Sequence, residues 1–161
     1  MTDDVQSKQG GARVRVPPPL VFLAAVIGGV LIDRLALRWL LPGGMAARIA
    51  VAACAIGGGV ALALAARRLF VKTGQDPKPW QPTPELIFSG PYRFTRNPMY
   101  VGMTLLTAGL GAAFGTLWPL PLSFAALGAV HVLAVLPEER YLAARFGEPY
   151  LSYKARVRRY L

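Results

Sequence analysis

An all-α integral membrane fold is what this sequence predicts. It has about four transmembrane helices, including a helical hairpin, and a C-terminal cytoplasmic amphipathic helix. Three observations predict it. Hydrophobic residues fill 54 % of the 161 positions and charged residues only 16 %, where a soluble domain has roughly a quarter charged. Mean hydropathy is +0.41. The charges cluster between long uncharged runs, and lipid-exposed backbone must be helical or a closed barrel.

The charge balance narrows the class. Eighteen Lys and Arg against eight Asp and Glu give a net +10. In a membrane protein such an excess marks the cytoplasmic loops and attracts anionic headgroups. The basic residues sit at the ends of apolar segments and form no separate basic domain, so nucleic acid is not a partner. One cysteine and one histidine leave no internal disulfide and no metal cluster. The length fits one domain.

Taken in order, residues 1–16 are polar and read as a disordered cytoplasmic start. A single membrane domain occupies 17–161. Its first span, about 17–40, opens on three prolines. The basic start and apolar run raise a signal peptide, but no small-residue cleavage site follows, so an uncleaved helix is favoured. Asp33 and Arg34 are expected to reach water from the end of that helix. Pro42-Gly43-Gly44 turns the chain into a second span, about 46–67, whose Gly57-Gly58-Gly59 suits close helix packing.

The loop after it holds Arg67, Arg68, Lys72, Lys78, Arg93 and Arg96 against Asp76 and Glu85, which marks it as cytoplasmic. Pro77, Pro79, Pro82 and Pro84 keep its middle extended, as a surface tether. From Asn97 to Pro137 there is no Asp, Glu, Lys or Arg. As one helix this run would measure about 60 Å at ~1.5 Å per residue, twice the roughly 30 Å hydrocarbon core. Trp118-Pro119-Leu120-Pro121 breaks it into spans of about 99–117 and 121–136, the second ending at Pro137. Four spans place both termini on the cytoplasmic side, as in a bacterial inner-membrane protein. Beyond Gly147, Tyr150, Tyr153, Val157 and Leu161 recur at helical spacing with basic residues elsewhere, an amphipathic helix for the interface.

Two polar clusters stand out. Gly90-Pro91-Tyr92-Arg93-Phe94-Thr95-Arg96-Asn97-Pro98-Met99-Tyr100-Val101-Gly102 lies where the basic loop enters the apolar run. Glu138-Glu139 lies just past the hairpin. Adjacent carboxylates either pair with nearby arginines or meet a cationic ligand. His131 precedes Glu138 by seven residues and shares its face on a continuous helix.

Together these segments, with Phe146-Gly147-x-x-Tyr150-x-x-Tyr153-Lys154-x-x-Val157-x-Arg159, resemble the isoprenylcysteine carboxyl methyltransferase family, which is grouped with the phospholipid N-methyltransferases. The likeness covers about residues 85–161. It implies an integral membrane enzyme that uses S-adenosylmethionine to methylate a lipidic or isoprenoid-type acceptor at the cytoplasmic surface. It also implies that Arg96, Asn97, Pro98, Tyr100, Gly102, Glu138 and Glu139 hold the cofactor. Asn97 stands where the isoprenylcysteine enzymes typically carry His; Asn replaces a hydrogen bond but not acid–base function, so the acceptor is open.

The chemistry agrees with a cation. A carboxylate pair in a partly dry site suits a sulfonium and an ammonium, and Tyr100 and Tyr92 can add cation–π attraction. A carboxylate acceptor would need Arg93, Arg140 or Arg156 to place it. An amine acceptor would need His131 or a glutamate to take a proton, although a packed, hydrogen-bonded role for His131 is the simpler one. Two rivals remain: an NADPH-dependent membrane reductase of the sterol-reductase kind, and a non-catalytic membrane protein.

Overall fold

The structure, a computed structural model, describes Val14, residues 16–76, Lys78 and residues 81–160. The expected disordered start falls outside these residues except for Val14 and Val16, as do Pro77, Pro79 and Leu161. The described chain is helical: α1 (Pro18–Leu35), α2 (Met45–Lys72), a 3-10 turn (Gly90–Arg93), α3 (Pro98–Phe114), α4 (Pro119–Val130), a π-helical turn (His131–Val135), α5 (Leu136–Phe146) and α6 (Glu148–Arg156). Among the described residues no strand forms, only the isolated bridges Leu40–Thr116 and Thr95–Arg158. The all-α membrane class expected from composition is the class observed.

Prolines start α1, α3 and α4 in the first turn, where the missing N–H would be unpaired anyway. Gly115 ends α3 in the left-handed region at φ 76°, a conformation that costs glycine nothing. The helices then run antiparallel. A Cβ on Gly102 would lie 2.7 Å from the Gly59 carbonyl, and one on Gly109 would lie 2.8 Å from the Ile56 backbone nitrogen. Of the Gly57–Gly59 triplet only Gly59 makes such a contact. Helix α1 packs on α4, with Phe22, Ala25, Tyr100, Ala126, Val130, Ala134 and Val135 in one core.

Helix lengths explain where the site stands. α1 has 18 residues and α3 has 17, so each measures about 26 Å, close to the hydrocarbon thickness. α2 has 28 residues, and α4, the π turn and α5 form one apolar-to-polar helix of 28, Pro119–Phe146. These reach about 42 Å. They enter from the same end of the bundle, so their surplus turns project together at the other end.

Three boundaries differ from expectation. The first helix stops at Leu35, not near residue 40. Asp33 is buried and accepts the Trp39 N–H at 2.9 Å, so it folds the chain back and does not reach for water. Leu117 N then donates to Trp39 O and Leu41 N to Gly115 O, joining the two loops. Secondly, the fourth helix passes through Pro137 without ending. In the π turn just upstream the Leu136 N–H reaches back five residues to His131 O. This wider turn accommodates a proline that would clash in a regular α-helix. Thirdly, the last helix ends at Arg156, with Val157 extended. Tyr150 and Tyr153 are buried against the protein, so that face covers neighbouring helices instead of lipid.

Candidate functional site

The segment before α3 is held by its neighbours. Gly90 has φ +58°, and a Cβ there would approach Leu69 Cδ1 to 3.1 Å. Pro91 shapes the 3-10 turn that buries Tyr92. The Tyr153 hydroxyl donates to Tyr92 O at 2.7 Å, and the Tyr92 ring meets Phe70 edge-on at 6.0 Å. Burial, with Glu138 as the second cause, pushes the Tyr92 phenol well above its ordinary range.

A cavity of about 770 Å³, its open mouth included, lies between this segment and the overhanging helices. Of the expected residues, Tyr92, Arg96, Asn97, Pro98, Tyr100, Glu138 and Glu139 line it. Thr83, Glu85, Leu86 and Ile87 add a wall, so the loop expected to be a surface tether is part of the site; Thr83 N is fastened by the Tyr141 hydroxyl at 3.2 Å.

Four expected residues stand elsewhere. Gly102 faces Gly59 of α2. Arg93 and Arg140 are exposed. His131 does not line the cavity; its Nδ1 sits 2.9 Å from the Tyr160 hydroxyl. The π turn between His131 and Glu138 adds to the helical circuit, so their seven-residue spacing does not put both at the cavity.

The two adjacent glutamates differ sharply. Consecutive helical residues lie about 100° apart, and only one direction is occupied by cations. Glu139 receives Arg159 Nε at 2.8 Å and Nη2 at 2.9 Å. Arg96 Nη1 approaches it to 2.9 Å and Lys154 Nζ to 3.4 Å. Glu138 lines the cavity, and among the described residues it has no hydrogen bond or ion pair. Arg96 is itself incomplete. Its side chain is 9 % exposed, yet Nε and Nη1 lack an aligned acceptor; the close approach to Glu139 is Coulombic with poor hydrogen-bond direction. A buried polar group without a partner calls for an explanation.

Phe70, Leu142, Tyr150 and Tyr153 also line the cavity, and Arg159 reaches it through Glu139. The sequence reading missed these as site residues. The i, i+3 spacing of Tyr150 and Tyr153 places both on one helix face, which was the available signal. Burial pushes both phenols up to about 12, so they are neutral hydroxyls at ordinary pH. Among the described residues no group of three His, Cys, Asp or Glu is placed to hold a metal ion.

Residues 47–149 match the family model of phospholipid methyltransferases. The match takes in nearly all of α2, well before residue 85 where the motif likeness begins, and ends as α6 starts. No curated protein matches the chain. The matched stretch is well over half of the 161 residues, and it contains the cavity walls from Phe70 to Leu142. This chain belongs to the phospholipid methyltransferase family and is a membrane methyltransferase.

Proposed function

We propose that the chain transfers a methyl group from S-adenosylmethionine to a lipid amine that enters from the bilayer, at the cytoplasmic face. One observation carries the reading: among the described residues Glu138 faces the cavity without a partner, beside Arg96, whose Nε lacks an acceptor and whose Nη1 is poorly aligned on Glu139. That pair of unmet needs fits a ligand bearing both cationic groups and a carboxylate. When bound, S-adenosylmethionine supplies an electrophilic methyl group on a sulfonium.

The chain's own residues supply the rest. Glu138 attracts the cationic groups, and Arg96 offers its free hydrogens to a carboxylate. Tyr92 and Tyr100 add aromatic faces. Met99, Val135 and Leu142 give the cavity an apolar side, which limits water. Methyl displacement needs alignment more than an acid–base triad, so the lack of one is no obstacle. An amine acceptor must give up a proton, and Glu138 is placed at the cavity to hold it. His131, which does not line the cavity, is left to its contact with Tyr160. The antiparallel helices put Pro18 and α6 at the cavity end, and the excess of Lys and Arg there supports a cytoplasmic side.

Thermal stabilisation in detergent tests the cofactor. S-adenosylhomocysteine at 100 times its dissociation constant adds roughly 2.7 kcal/mol; stabilisation by NADPH alone overturns the reading in favour of a reductase. Labelled methyl groups should then appear in phosphatidylethanolamine. Label in a prenylcysteine carboxyl group instead would move the acceptor from amine to carboxylate.

A further inference from the structure

Residues 157–160 leave α6 at Val157, whose backbone is extended at φ −111° and ψ 130°. They run beside the cavity segment as a short parallel bridge, Thr95 with Arg158. Arg96 N donates to Arg158 O at 2.9 Å. The next carbonyl, Arg159 O, accepts twice: from Thr95 Oγ1 at 3.0 Å and from Asn97 Nδ2 at 3.0 Å. Tyr160 meets His131 at 2.9 Å. Arg159 is thus fixed at its backbone from both sides before its side chain reaches Glu139 with two donors, 2.8 and 2.9 Å. A guanidinium fork held this way is orienting as well as neutralising.

We propose that residues 157–160 are a clasp that sets the charge of the cavity. Thr95 and Asn97 latch the Arg159 carbonyl. Arg159 then acts as a positioning residue that ties Glu139 into the fold and leaves Glu138, with the more exposed Glu85 on the opposite wall segment, to face the ligand. Neither Thr95 nor Arg159 lines the cavity, so any effect of theirs on a ligand passes through Glu139, Arg96 and Asn97. The clasp also gives Asn97 a use of its own: its amide donates to the chain, not to the ligand. This inference rests on the S-adenosylmethionine reading of the cavity.

The test uses the full chain in detergent, with Arg159→Gln, Thr95→Val and the conservative Thr95→Ser. S-adenosylhomocysteine affinity falls about tenfold or more in Arg159→Gln, as expected for loss of a charge-assisted fork. It falls about threefold in Thr95→Val and returns to the parent value in Thr95→Ser. Parent-like affinity in Arg159→Gln, or equal loss in Thr95→Val and Thr95→Ser, overturns the clasp. If the parent protein binds no S-adenosylhomocysteine, the cofactor reading fails and amide exchange decides the clasp alone. Exchange of the Arg96, Asn97, Met99 and Tyr100 amides should then quicken about tenfold in Arg159→Gln with mid-α2 amides unchanged; no local change there sinks it.

Discussion

The two ends of the bundle treat a buried acid differently. At the Trp39–Trp118 end, Asp33 is 3 % exposed and takes the Trp39 N–H. Trp118 Nε1 donates to Leu37 O at 2.7 Å, and the two indoles meet edge-on at 5.3 Å. The acid there is used up in closing two loops. At the cavity end Glu139 is likewise consumed, but among the described residues Glu138 beside it has no partner, and Arg96, though paired with Glu139, keeps its Nε without an acceptor. Among the described residues the closed end has one unpartnered buried donor, Arg48 Nε, but that guanidinium lies over Gly115. The difference teaches a rule for this molecule: a partnered buried charge belongs to the fold, and an unpartnered one at a cavity belongs to a ligand.

The adjacent glutamates give that rule its hardest test. Glu139→Gln leaves the buried Arg96 without its counter-charge and should cost about 4 kcal/mol of stability, read by denaturant unfolding in detergent. Glu138→Gln removes a desolvated carboxylate that has no partner in the fold, so stability should hold or rise. It should nonetheless weaken S-adenosylhomocysteine by about 100-fold, the loss expected when one partner of a desolvated charge pair is truncated. Two variants with the same profile would erase the distinction between the neighbours.

How much of this was legible beforehand follows from the range of each interaction. The helices were readable because lipid imposes long uncharged runs, and the Trp118–Pro121 break because proline acts locally. Seven cavity residues were visible as the polar clusters at 92–100 and 138–139. The clasp was not, because the backbone bonds from residues 95–97 to Arg158 and Arg159 leave no periodic trace. Nor was the π turn, whose extra residue misaligned His131 with Glu138. Pro137 looked like a terminator because the wider turn that accommodates it is invisible in a hydropathy pattern. Gly102, expected among the residues that hold the cofactor, packs against Gly59 instead, a helix contact that a short motif does not distinguish from a ligand contact.

That helix contact supplies the next prediction. A side chain at Gly102 must displace Gly59 O and the Ala63 backbone, so Gly102→Leu should cost about 3 kcal/mol through overpacking. Because α3 also carries Tyr100, ligand affinity should fall with it. Asp33→Ala strands the Trp39 N–H and should cost about 2 kcal/mol, yet leave S-adenosylhomocysteine affinity unchanged. Altered affinity in Asp33→Ala would mean the two ends are coupled, and the comparison between them would fail.

The smallest effect concerns a satisfied hydrogen bond in the cavity wall. Tyr153→Phe removes the donor to Tyr92 O and should cost about 1 kcal/mol at pH 8. Burial, with Tyr150 second, raises the Tyr153 phenol to about 12, while an unfolded tyrosine titrates near about 10. A folded-state value above the unfolded one means the contribution is complete below about pH 10 and is lost as pH climbs toward about 12. The parent protein therefore loses this advantage in that window, and Tyr153→Phe has no such phenol to lose. The two stability curves should meet and then cross between about pH 10 and 12, with Tyr153→Phe the more stable at the upper end, measured by unfolding at fixed temperature. A gap that stays constant through this window would mean Tyr153 ionises as freely in the fold as outside it, and that the wall it forms is wet.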